Sequence, residues 1–332
     1  MRSRPCVWQR RPSCPGARCA LSHSLRSRLQ RPNPRSDWME KVSGAPISWG
    51  VSELPAWGYR MAPDRVLSEM KSVGLEATEL GPPGFLPQDR RECGEMLDRH
   101  GLRLVAGFLA AVLHDPEAGA LDEVAKHATA LAAAGADMLV LAAALPGDSY
   151  DKHQNLSGEA WRTLTQTLAE IETIATSNGL GLAFHPHAGT AVENRDQVER
   201  LLNTSDVDLC LDTGHLHLGG TDPVQLAAEA GPRISHVHLK DVDLELASSV
   251  RSHKLSYAEA VRQGMYRPLG QGGLDIEAVV RRLQETGYAG WFVLEQDIAL
   301  IREPDAANGP STAARQSLDY FRQISEPAAH PR

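Results

Sequence analysis

Five glycines set the rhythm of this chain. Gly74, Gly101, Gly135, Gly179 and Gly287 each follow a polar, Ala/Leu-rich stretch of helical periodicity. A short apolar run comes within a few residues of each. Glycine is the expected residue just past a helix C-terminus, because it enters the left-handed region without a Cβ penalty. The apolar runs are too short for buried helices and read as strands, over 45–48, 76–79, 103–107, 138–142, 180–185, 207–212, 234–239 and 291–294. Helical patterns fall near 64–73, 88–100, 118–134, 156–178, 194–202, 222–230, 275–286 and 311–325.

Strands alternating with helices imply parallel βα units. Eight such units fit an α/β fold of the (β/α)8 TIM-barrel type, for which ~250 residues plus insertions is typical. A doubly wound sheet is the weaker alternative, since no GxGxxG follows the first strand. The expected layout is a single barrel domain over 43–325, an extension over 1–38 and a flexible tail over 326–332.

The 332 residues are 42% hydrophobic, enough for a sizeable core, and no run approaches the ~20 apolar residues of a membrane span. Nine arginines and one acid, Asp37, give residues 1–38 a formal charge of +8, so the rest carries −16 of a net −8. An acidic body argues against nucleic acid as a partner, because phosphate binding needs a basic face. The extension is rich in Arg, Ser and Pro. It reads either as an organellar transit peptide or as a stretch ahead of a start at Met39, and disorder is expected in both cases. Only Cys93 and Cys210 lie in the body. Without a disulfide framework, a reducing, cytoplasmic setting is expected.

In a barrel the chemistry gathers at the C-terminal strand ends. There the sequence places Glu79, His185 and His187, Asp212 with His215 and His217, His236 and His238 with Lys240 and Asp241, and Glu295. Residues two apart on a strand share a face, so both members of each histidine pair can face the barrel mouth. His, Asp, His and Glu at equivalent heights suit a divalent transition metal such as Mn2+, Co2+ or Zn2+. His236 is expected to be structural, Cys210 an inert core thiol, and Trp49 either core or a pocket wall.

The motifs APISWG, TELGPPGFLP, FHPHAGTAVE, LDTGHLHLGG, HVHLKD, RPLGQGGLD and FVLEQD together resemble the xylose-isomerase-like TIM barrel superfamily, and within it the inosose dehydratase branch. The resemblance implies one divalent metal, with Mn2+ or Co2+ first and Zn2+ or Mg2+ next. It is held by His185, Asp212, His238 and Glu295. Many relatives carry Glu where this chain has His185, which puts two-base epimerisation in doubt. The resemblance also implies dehydration of a cyclic polyol ketone. Glu295, His185, His215 and Lys240 are the candidate acids and bases, and Trp49, Glu79, His187, Glu193 and Arg267 the candidate substrate contacts. Glu193 could instead be an N-terminal charge on the next helix. Residues 241–271, with Arg251, His253, Lys254 and Arg267, read as a lid or as a solvated loop. The expected partner is a small polyol or ketose, with neither nucleic acid nor membrane, in a homodimer or homotetramer. The alternatives are a ketose or hydroxypyruvate isomerase/epimerase, a metal-dependent endonuclease and a non-catalytic sugar-binding barrel.

Overall fold

A computed structural model describes residues 41–54, 57–147, 150–305 and 309–326. Eight parallel strands close a barrel: β1 Val42–Gly44, β2 Ala77–Glu79, β3 Arg103–Ala111, β4 Met138–Ala143, β5 Gly181–Phe184, β6 Leu209–Asp212, β7 Ile234–Leu239 and β8 Phe292–Leu294. Closure is made where β1 pairs on one side with β8, Val42 opposite Phe292, and on the other with β2. The main helices alternate with the strands as the periodicity predicts, and all five rhythm-setting glycines have positive φ. The expectations for residues 1–38 and for most of the C-terminal tail concern residues outside those described.

The first strand is displaced from its expected place. Residues 42–44 form β1, whereas Pro46–Trp49 forms a 3-10 turn. Proline fixes φ and suits the first position of such a turn, so the apolar run there is a turn that only looks like a strand. At the other ends, β3 runs on to Ala111 and β5 stops at Phe184, leaving His185 just beyond the strand.

Strand alternation sorts the side chains into two tiers. Ala77, Val105, Val140, Ala183 and Cys210 form one small apolar cluster, while their neighbours Leu104, Leu139, Leu182 and Leu209 join the large cluster beneath the helices. Moving two residues on from the small cluster leads from Ala77 to Glu79, from Ala183 to His185 and from Cys210 to Asp212. The barrel interior is therefore apolar below and ionisable above. Burial pushes the Cys210 thiol up to about 11, so it is a neutral packing group.

The segment expected as a lid or a solvated loop is an ordered cover. Asp241–Val242 pairs antiparallel with Tyr266–Arg267, and between them stand helices Leu244–Arg251 and Tyr257–Arg262. Its buried Ala247, Tyr257, Ala260, Met265 and Tyr266 pack with Trp57 in a second apolar cluster. Asp241 organises the base. Its carboxylate accepts from the backbone N–H groups of Val242 (2.9 Å), Gly270 (3.0 Å), Gly272 (2.9 Å) and Leu274 (3.0 Å). RPLGQGGLD is thus the loop that wraps this carboxylate. Gly272 is required there, since a Cβ would come within 2.2 Å of Asp241 Oδ1.

Candidate active site

The strand ends converge on a buried ionic cluster. Asp212 is the N-cap of the short helix Thr213–Leu218, and its Oδ1 accepts from His215 N at 2.9 Å. Capping with one oxygen turns Oδ2 inward, 3.4 Å from His185 Nε2 and 3.6 Å from His238 Nδ1. Glu295 Oε2 lies 3.2 Å from the same His238 nitrogen. Thr213 straps β6 to β7: its hydroxyl donates to Lys240 O at 2.6 Å and accepts from Lys240 N at 2.8 Å. Gly214 must be glycine, because a Cβ would meet Tyr266 at 2.8 Å and Lys240 Cβ at 2.9 Å.

Glu79 orients this centre from beneath. Its Oε1 accepts from Nε2 of His236 (2.8 Å) and of His238 (3.0 Å). The opposite nitrogen of His238, Nδ1, is thereby presented to Asp212 and Glu295. His236, expected to be structural, is structural in this sense. Burial pushes Glu79 up, but the His238 charge and the two imidazole hydrogen bonds outweigh it and hold the carboxyl well below the usual range. Burial likewise opposes the charge on His238, and the carboxylates around it raise its pKa well above the ordinary value.

Lys240 carries the other cation. Its Nζ lies 2.9 Å from Asp297 Oδ1, 3.0 Å from Glu295 Oε2, 3.3 Å from Asp212 Oδ2 and 3.1 Å from His215 Nε2. Burial favours the neutral amine, but Asp212, Asp297 and Glu295 overcome it and keep the ammonium.

The donor set fits a divalent cation. His185 Nδ1 and Nε2, Asp212 Oδ2 and His238 Nδ1 are all buried with no hydrogen-bond partner among the described residues. Leaving such groups bare is costly, and a cation would satisfy one nitrogen of His185 together with Asp212 Oδ2 and His238 Nδ1. The ligand atoms of Asp212, His238 and Glu295 lie within 4.8 Å of one another, and so do those of His185, Asp212 and His215. Imidazole with carboxylate is the donor chemistry of first-row divalent metals.

A cavity of about 250 Å³ opens above the cluster. His185, His187, His238, Lys240, Glu295 and Asp297 reach it, with Trp57, Phe108 and Tyr150 among its apolar walls. His187 Nδ1 donates to Ala188 O at 2.9 Å, which leaves Nε2 with its lone pair. Burial, with the positive groups nearby, lowers its pKa well below the ordinary value.

Four candidates stand elsewhere than expected. Trp49 is buried in the core and its Nε1 donates to Glu69 at 2.9 Å, so Trp57 takes the place of the expected wall. His215 lies behind Lys240 rather than on the cavity surface. Glu193 pairs with His153 and accepts from Gly189 N at 2.7 Å, lining a separate side cavity with Arg251, His253 and Lys254. Arg267 is held on the cover by Asp243 at 3.0 Å. Besides Trp57, the sequence reading missed Asp297 and Tyr257. Asp297 was legible, being two residues past Glu295 and so on the same face. Tyr257 lies in the cover, where no strand pattern points to it.

Comparison with known proteins gives the family. The chain is 32% identical over 297 residues to the rhizopine catabolism protein MocC of Rhizobium meliloti, covering 87% of this chain and 89% of the relative. It is 30% identical over 294 residues to the inosose dehydratase of Geobacillus thermodenitrificans, covering 85% and 96%. The crystal structure of the IOLI protein with a zinc atom superposes with a TM-score of 0.62 at 17% identity, over 86% of this chain and 98% of that one. These relatives make the chain an enzyme acting on a small molecule. The model of the xylose isomerase-like TIM barrel matches residues 67–324, and the chain belongs to that family.

Proposed function

We propose that this enzyme removes water from a cyclic polyol ketone of the 2-keto-myo-inositol class. One observation carries the reading. The same cavity holds a neutral imidazole of fixed tautomer, His187, and a buried ammonium, Lys240. Elimination needs that pairing, a base for the proton α to the carbonyl and an acid for the departing hydroxyl. The relative named inosose dehydratase supports the substrate class.

His185, Asp212, His238 and Glu295 would hold one divalent metal, with Mn2+ or Co2+ preferred. Bound there, it supplies Lewis-acid polarisation of the ketone. His187 Nε2 takes the α-proton as the C–H bond breaks. The electron pair forms the new double bond as the β C–O bond breaks, and Lys240 gives its proton to the leaving oxygen. Water departs and the product is a conjugated enone. Trp57, Phe108 and the cover limit bulk water around the reacting carbons. The setting proposed is cytoplasmic, with the barrel over 43–325 as the single catalytic domain.

The test follows 2-keto-myo-inositol in the ultraviolet. Wild-type enzyme is expected to generate the conjugated chromophore. His187→Ala and Lys240→Met are each expected to lower kcat by about 10²–10⁴-fold, the usual worth of a positioned acid or base. Turnover of another ketose with no loss of water would move the assignment to isomerisation or epimerisation.

A further inference from the structure

Of the four groups around the Lys240 ammonium, Asp212 and Glu295 stand at strand ends and His215 on the short helix that follows β6. The fourth, Asp297, is held from outside the barrel. Its Oδ1 meets Lys240 Nζ at 2.9 Å, and its Oδ2 accepts from the Tyr257 hydroxyl at 2.6 Å. Tyr257 opens the helix Tyr257–Arg262 of the cover. Its own backbone N–H donates to Asp151 Oδ1 at 2.6 Å, and its hydroxyl oxygen stands 3.0 Å from that of Tyr266. The ring lies almost parallel to His215 at 5.9 Å and edge-on to Tyr150 at 5.3 Å.

The geometry points to Tyr257 as a positioning residue: from the cover it fixes the Asp297 carboxylate, and through it the Lys240 ammonium beside Asp212 and Glu295. The inference rests on the acid role given to Lys240 above. A lysine head group carries three donors on a flexible four-carbon stem, so its direction is set by its acceptors. A carboxylate with one oxygen occupied by a phenol cannot rotate freely, and its second oxygen then has a fixed place. Tyr257 can donate to Asp297 while accepting from Tyr266, and the ion pair between Asp297 Oδ1 and Lys240 Nζ carries that line of contacts from the cover to the acid. The acid is therefore aimed only while the cover is seated.

Reductive methylation of the full chain, quantified at Lys240 by mass spectrometry, tests this without reference to turnover. Lys240 is expected to react slowly in the wild type and about tenfold faster in Tyr257→Phe, the size of a modest local opening. Asp297→Asn is expected to give a similar rise. Tyr266→Phe, which leaves the Tyr257–Asp297 bond in place, is expected to change the rate by less than about twofold. A Tyr257→Phe rate within about twofold of wild type overturns the inference, and so does an equal rise in Tyr266→Phe, which would mean general loosening. If Tyr257→Phe does not fold, Asp297→Asn decides alone, and a wild-type rate there overturns the inference. In the ketone assay Tyr257→Phe is expected to lower kcat about tenfold with KM changed less than twofold. A wild-type enzyme inactive on that ketone would count against the proposed function, while the labelling result still decides the role of Tyr257.

Discussion

Glu79 sits between two imidazoles and decides which nitrogen of His238 faces the cluster. It was expected to contact sugar, and in the structure it orients His236 and His238. Partners of this kind commonly govern cation affinity by 10–100-fold. Glu79→Gln is therefore expected to weaken Co2+ binding to metal-stripped protein by about 10–100-fold, measured by direct titration. Unchanged affinity would mean that His238 needs no such anchor. Residue-scale chemistry was legible wherever a strand carried it. Residues two apart share a face, and with the barrel's strand order this brought Glu79, His185, Asp212, His238, Lys240 and Glu295 into one buried cluster. It failed where side chains arrive from irregular segments. Trp57 comes from the stretch after β1 and Tyr257 from the cover, and neither has a period that announces its direction.

Elements were legible by their punctuation. Glycines closed the helices where expected, and only the first strand was misplaced, because a proline-led turn imitates a short apolar strand. The cover was harder to read. Its base is held by a single buried carboxylate, and four N–H groups on Asp241 leave no local sequence pattern beyond the glycines that make room for them. Asp241→Ala strands those donors and is expected to cost about 2–4 kcal/mol. The loss should localise to residues 241–274 in hydrogen exchange. Protection equal to wild type there would contradict the hub role. Gly214→Ala tests the β6–β7 junction. The added carbon crowds Tyr266 and Lys240, so a loss of about 1–3 kcal/mol is expected in chemical denaturation.

Taken whole, the molecule is a barrel whose lower interior packs and whose upper interior is charged. Its acid stability should reflect buried neutral imidazoles outside the site as well. His127, on the helix Ala120–Ala133, has a buried Nε2 without a partner among the described residues, and burial lowers its pKa. A folded pKa below the unfolded value means that the unfolded chain binds more protons. This contribution is therefore full above about pH 6.5 and is lost as pH falls below it. His127→Gln should flatten that limb of a stability-against-pH curve, and an unaltered slope would exclude His127 as its source. Among the described residues no helix is long and apolar enough to cross a membrane.

The central claim is a metal-dependent loss of water. It is tested most directly by stripping the enzyme with chelator, restoring Mn2+, Co2+ or Zn2+ one at a time, and recording 2-keto-myo-inositol in the ultraviolet. The account predicts that the chromophore disappears with the metal, returns with Mn2+ or Co2+, and fails to return in Glu295→Gln or His185→Ala. A chromophore that forms at the same rate in stripped enzyme, or in those two variants, would contradict it.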